Sequence, residues 1–131
     1  MQTQLSKIDL SIIIVNYKCW DALTKCLESF NKYKPHTSYE IIIVDNDSRD
    51  DKFNSFQQQF NEIKFIANKG NYGFSNGCNL GAEIAKGEFL LFLNPDITLT
   101  NSPAIDTMFN FAKLNPNVGI TSCRTLYSNG K

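Results

Sequence analysis

Three short apolar runs constrain this chain more than anything else in it. They are Leu10–Val15 (LSIIIV), Glu40–Val44 (EIIIV) and Phe89–Leu93 (FLLFL), and each runs straight into a polar cluster. Apolar runs of this length, bounded by turn signals, read as sheet strands, and the unbroken FLLFL as one buried on both faces. The last run opens at the Lys86-Gly87 turn and breaks into Asn94-Pro95-Asp96. Pro95 has no N–H to donate and ends the ladder. Asp96 is therefore expected on the first loop past the carboxyl end of a central strand, the edge of an open α/β sheet where ligands bind.

The segments between the runs carry helical spacing. Leu23, Cys26, Leu27 and Phe30 give Trp20–Tyr33 one apolar face. Phe53, Phe56 and Phe60 do the same for Asp50–Phe60, with acids in its first turn, where the helix dipole favours them. A further helix is expected over Phe74–Lys86. Another starts with Ser102 as N-cap and Pro103 at the first helical position, and buries Ile105, Met108, Phe109 and Ala112. Ile63–Ala67 is a weaker third strand and Val118–Ser122 a last one. Strand and helix alternate, so the expected fold is a three-layer α/β/α domain around a mainly parallel sheet.

The chain has 131 residues, enough for a single domain over 1–131. Its 13 basic and 13 acidic residues cancel, which gives no general drive toward nucleic acid or an anionic membrane and leaves only a local basic patch open. No apolar run approaches the length of a bilayer span. The N-terminal MQTQLSKIDLS lacks the apolar core of a signal peptide. Cys19, Cys26, Cys78 and Cys123 have no CxxC spacing, so they read as reduced thiols in small core positions, and cytoplasmic residence follows.

The strand ends gather chemistry. In a parallel sheet Asn16, Asp45 and Asp96 share one edge. Polar strand ends are the ordinary way a chain reaches water. That accounts for one acid better than for two carboxylates and several amides beside a glycine-rich loop. Asp45 is placed to accept a hydrogen bond from a base N–H or a ribose hydroxyl. Asp96 is placed to hold a divalent cation shared with substrate phosphates, since Mg²⁺ takes only one or two protein carboxylates. The loop Lys69–Gly73 (KGNYG) precedes a helix whose first amides can face an anion. Gly73, Gly77 and Gly81 lie four apart; close packing explains Gly77 and Gly81, and Gly73 stays open between packing and ligand contact. This is no GxGxxG fingerprint, and it follows the third strand rather than the first. His36, the only histidine, sits in an exposed turn, and no GxSxG is present, so acyl transfer has little to stand on.

Taken in order and spacing, SIIIVNYK, EIIIVDNDSRD and NYGFSNGCNLGAEIAKGEFLLFLNPD resemble the nucleotide-binding half of family 2 glycosyltransferases of the GT-A fold, from about Leu10 to the end of the chain. The Phe-Leu-Asn-Pro-Asp version is similar to the bacterial subgroup of rhamnosyltransferases and galactofuranosyltransferases that build cell-surface polysaccharides. The resemblance implies that Asn16 and Tyr17 line the base pocket and that Asp45 contacts the base. It places Asn71, Gly73 and Phe74 beside the nucleotide and diphosphate. Asp96 matches the last acid of the family's DxD motif, the ligand of Mn²⁺ or Mg²⁺, and Asn94 stands where the first acid would be. The implied reaction is inverting transfer from a UDP- or dTDP-sugar to a saccharide or lipid-linked acceptor, which places the protein in the cytoplasm or peripherally at the inner face of the membrane.

The family's general base and acceptor-binding residues match nothing here and are expected beyond Lys131, so the chain reads as the donor-binding part with the acceptor-binding part absent. Asp106 and Glu88 read as surface or helix residues. The sheet surface that the absent part would cover is expected to favour self-association. A non-catalytic nucleotide-binding module of the same fold is the alternative. A receiver-like signalling domain using Asp45 ranks last, because it leaves the NPD and NYGF segments unused.

Overall fold

The computed structural model describes residues 7–101, 103–127 and 129–130. Strands and helices alternate as β1 (Leu10–Asn16), α1 (Trp20–Lys32), β2 (Tyr39–Asp45), α2 (Lys52–Gln59), β3 (Lys64–Ala67), α3 (Phe74–Ile84), β4 (Phe89–Leu93) and α4 (Ala104–Leu114). The four strands form one sheet in the order β3-β2-β1-β4. Every pairing is parallel, with Asn16 beside Asp45 and Ile14 beside Leu93.

Strand pleating sends alternate side chains to opposite faces. Leu10, Ile12 and Ile14 of β1 and Ile41 and Ile43 of β2 point to one face, where they pack with Trp20, Leu23, Leu27 and Phe30 of α1, Phe56 of α2 and Ile105 of α4. Ile12, Ile14 and Ile43 have no exposed surface, and each such side chain contributes about 1.5–3 kcal/mol of burial. Ile13, Ile42 and Val44 point the other way, where α3 covers them. Two glycines let α3 lie close. A Cβ on Gly77 would stand 2.7 Å from Cγ1 of Val15, and one on Gly81 would stand 2.5 Å from Cγ2 of Ile13. Packing accounts for both residues.

The amino end of that second face is polar. Ser11 is fully buried and donates its hydroxyl to Glu40 Oε1 at 2.6 Å. The Lys86 amide and the Lys64 ammonium donate to the same carboxylate. The Gly87 amide donates to Ser11 Oγ at 2.8 Å. Burial pushes the Glu40 carboxyl up, but the bonds from Lys64, Ser11 and Lys86 outweigh it and hold it below its ordinary value.

Several expectations need correction. β4 is an edge strand, not a central one, and it is not buried on both faces: Leu90 is 44% and Phe92 48% exposed. They lie beside Ser11 and Ile13 in register, on the α3 face, where α3 covers β1 and β2. Val118–Ser122 is irregular. Val118 through Thr121 line a groove along β4, but no ladder bonds form, and Ile120 is almost fully exposed. The helix after the second strand starts at Lys52 with no acid in its first turn, because Asp50 is drawn away to accept from Trp20 Nε1 and the Lys52 amide. Pro103 is the N-cap of α4 rather than its first residue; Ser102 lies outside the described residues. α3 ends at Ile84, short of Lys86. Only two of the four thiols, Cys26 and Cys78, are buried. His36 and Glu88 are surface residues as expected, and no described helix is long and apolar enough to cross a membrane.

Gly81→Ala forces β1 and α3 apart and is expected to cost about 1–3 kcal/mol, read as a lower urea midpoint. The lowered Glu40 carboxyl adds stability that is present above its ordinary value of 4.5 and is lost as pH falls through its folded value. Glu40→Gln is expected to flatten the stability–pH curve in that acid window, measured by denaturation at stepped pH.

Candidate functional site

The strand order fixes where a ligand can sit. β1 connects toward β2 through α1 on one face, whereas the chain returns from β3 to β4 through α3 on the other. Right-handed crossovers require that change of face when the direction reverses. The carboxyl ends of β1 and β4 therefore flank the point where the order reverses, and such crevices bind ligands in open α/β sheets.

On the β1–β2 side the rim rests on a buried polar clamp. Asn16 has no exposed surface and Asp45 is 4% exposed. Asn16 Nδ2 donates to Asp45 Oδ1 at 2.8 Å, and the Ser48 hydroxyl donates to the same oxygen at 2.6 Å. The Ser48 amide donates to Asp45 Oδ2 at 3.0 Å. Asn16 Oδ1 in turn accepts from the Cys19 amide ahead of α1, and Ser48 Oγ accepts from the Lys18 amide. A buried carboxylate is tolerable only when hydrogen-bonded in this way. Asp45 thus ties the loop after β1 to the loop after β2. Lys18, Asp47 and Arg49 all have positive φ there, at 56°, 63° and 53°. Three non-glycine residues in the left-handed region are held only where their surroundings fix them.

The expected site residues divide between support and surface. Asn16 and Asp45 are the buried support. Tyr17 is 44% and Phe74 51% exposed, so both present ring surface at the rim. The Lys18 ammonium lies over the Tyr17 ring, 5.2 Å from its centre. Asn71 Oδ1 accepts from the Gly73 amide at 3.1 Å. Gly73 sits at φ +90° with open space around its Cα, so its backbone conformation, rather than packing, calls for glycine. Asn94 and Asp96 are exposed on the turn after β4, closed by the Ile97 amide donating to the Asn94 carbonyl. Burial, with the Asp96 charge adding to it, pushes the Cys26 thiol up to about 12.

Four residues of the rim escaped the sequence reading: Asn46, Ser48, Asn68 and Asn76. Asn46 is 2% exposed, donates through Nδ2 to the Gly73 carbonyl and accepts from Asn68. The run of polar residues after Val44 was the available signal. Nothing in the sequence shows which of them turns inward.

Among the described residues no three His, Cys, Asp or Glu side chains converge as a metal cage. One exposed carboxylate beside one exposed amide oxygen, Asp96 and Asn94, fits a different donor set: a hard cation that completes its shell with phosphate oxygens and water.

A family model described as glycosyl transferase family 2 matches residues 11–131. The chain belongs to that family. It is 34% identical over 111 residues to a poly(ribitol-phosphate) beta-glucosyltransferase of Bacillus spizizenii, covering 81% of this chain and 17% of that protein. It is 32% identical over 136 residues to the low-salt glycan biosynthesis hexosyltransferase Agl10 of Haloferax volcanii, covering 98% of this chain and 40% of the relative. Among solved structures, S. aureus TarS 1–349 in complex with UDP superposes with a TM-score of 0.68 at 25% identity, covering 82% of this chain and 33% of that one. The α/β fold of this chain is thus shared with the matching part of S. aureus TarS. The chain spans well under half the length of each of these proteins.

Asp45→Ala leaves Asn16 Nδ2 and both Ser48 donors unpaired and is expected to cost about 2–4 kcal/mol. Asp96→Ala, at an exposed position, is expected to stay within about 0.5 kcal/mol of the parent. Urea unfolding of the two variants side by side measures the contrast.

Proposed function

We propose that this chain is the donor-binding portion of an inverting, metal-assisted glycosyltransferase that takes a UDP- or dTDP-sugar. The observation that carries the reading is the crevice at the reversal of strand order in a family 2 chain. On one side exposed Tyr17 directly follows the Asn16–Asp45 clamp at the end of β1, and on the other Asn94 and Asp96 follow β4. The base lies against Tyr17, with Asn16 and Asp45 behind it. The diphosphate runs past Asn71, Gly73 and Phe74 at the head of α3 toward Asp96.

Asp96 and Asn94 would hold Mn²⁺ or Mg²⁺ together with the diphosphate. When bound, the cation supplies Lewis-acid stabilisation of the negative charge that builds on the leaving phosphate oxygen. The chain's own work is to fix the donor: the buried clamp costs no reorganisation when the substrate arrives, because its bonds are made without it. The acceptor hydroxyl attacks the anomeric carbon from the face opposite the diphosphate, and a general base takes its proton. No described residue is assigned that role.

The relatives' names support a saccharide-polymer or lipid-linked acceptor. They include the B. spizizenii poly(ribitol-phosphate) enzyme and a UDP-Glc:alpha-D-GlcNAc-diphosphoundecaprenol beta-1,3-glucosyltransferase of Escherichia coli, 34% identical over 89 residues. Those names carry glucose and lend nothing to the rhamnosyl or galactofuranosyl subgroup that the NPD turn resembles. A lipid-linked acceptor would place the protein at the inner face of the membrane. Exposed Leu90 and Phe92 support self-association of the isolated chain.

Calorimetric titration with UDP, with and without MnCl₂, tests the reading. Metal-dependent binding is expected, and Asp96→Ala is expected to weaken it about tenfold or more through loss of a charged ligand. Equal binding by parent and variant with metal present contradicts the role of Asp96. Hydrolysis of a UDP-sugar by the chain would count against the non-catalytic module.

A further inference from the structure

The loop that presents Asn71, Gly73 and Phe74 has no strand to hold it. Gly70 and Gly73 make it deformable, and Tyr72 and Phe74 project into solvent. What fixes it is a chain of side-chain amides. Asn68, directly after β3, donates its backbone N–H to the Asp45 carbonyl at 2.9 Å, which anchors it to β2. Both hydrogens of its side-chain amide are used: Nδ2 donates to Asn46 Oδ1 at 3.0 Å and to Asn76 Oδ1 at 2.8 Å. Asn76 lies in the first turn of α3. Asn46, its oxygen engaged by Asn68, is left with Nδ2 pointing at the Gly73 carbonyl, to which it donates at 2.9 Å.

We propose that Asn68 is a positioning residue for the nucleotide diphosphate: by occupying Asn46 Oδ1 and Asn76 Oδ1 together it sets the orientation of the Asn46 amide, and so the position of the Gly73 turn and the head of α3. This rests on the donor-binding reading above. Asn68 itself touches no substrate group in that reading; it acts through Asn46 and Asn76. The direction of each bond is what matters. An Asn46 amide turned end for end would offer an oxygen to the Gly73 carbonyl and repel it.

The chemistry of the amide supplies the test. Asn68→Asp keeps the shape but replaces two donors with acceptors. An ionised carboxylate there draws Asn46 Nδ2 toward itself and away from Gly73. A protonated one donates once more and lets Asn46 return. Asn68→Ala removes the donors without adding a competitor: Asn46 loses the bond that orients its amide and Asn76 its tie to β3, but nothing draws Asn46 Nδ2 off the Gly73 carbonyl.

UDP binding with MnCl₂ is measured by calorimetry between pH 5 and 8 for the parent, Asn68→Asp and Asn68→Ala, with the thermal midpoint of each sample. At neutral pH Asn68→Asp is expected to bind about tenfold more weakly, one hydrogen bond to the loop having been lost and a repulsion gained. Asn68→Ala is expected to fall between it and the parent. Affinity of the Asp variant relative to the parent is expected to recover toward acid pH, while that of the Ala variant stays constant. Parent-like affinity of Asn68→Asp, a pH response shared by both variants, or a loss of affinity that only tracks a loss of folded protein would overturn the proposal. Failure of the parent to bind UDP sinks the donor-binding reading instead.

Discussion

Much of this structure depends on one buried carboxylate. Asp45 ends β2 in the sheet interior, and three hydrogen bonds from Asn16 and Ser48 make its burial tolerable. Those bonds close two loops onto each other and lock the left-handed backbone at Lys18, Asp47 and Arg49. Without the clamp the ends of β1 and β2 would be two independent loops, each free to sample many conformations. With it they form one rigid rim. Hydrophobic burial holds the layers together, but it is directionless and cannot aim a side chain. The hydrogen-bonded clamp does the aiming.

The rim then divides its labour. Residues that look chemically capable in the sequence, Asn16 and Asp45, are spent largely on architecture. Tyr17, Phe74, Asn94 and Asp96 are the groups left facing solvent. The amide chain from Asn68 through Asn46 reaches from the end of β2 to the glycine loop, so the clamp side of the rim and the head of α3 are held before any ligand arrives. Preorganisation of this kind is how a site spends folding energy on binding.

The core was legible because period and composition agree. LSIIIV and EIIIV can hide all their apolar side chains only as central strands, and they do. FLLFL misled because an apolar run states that its side chains avoid water without stating what covers them. As an edge strand beside α3 it leaves Leu90 and Phe92 uncovered. Val118–Ser122 shows the same limit, since a β-branched segment without a ladder partner remains irregular. At the site, the strand ends could be read from the polar residues that stop each run. The inward turn of Asn46 and Ser48 could not, because it is decided by hydrogen bonds between segments distant in sequence. Gly77 and Gly81 were legible from their four-residue spacing, and their near contacts with Val15 and Ile13 give the reason.

A nucleotide diphosphate in the β1–β4 crevice at the carboxyl edge is the proposal on which the rest turns. The most direct measurement is amide NMR of the isotope-labelled chain titrated with UDP and Mg²⁺. Shifts are expected to concentrate at Tyr17, Gly73, Phe74 and Asp96, on both sides of the crevice. Shifts confined to the cleft around Lys32, His36 and Asp106 at the opposite edge, or none at all, would contradict it.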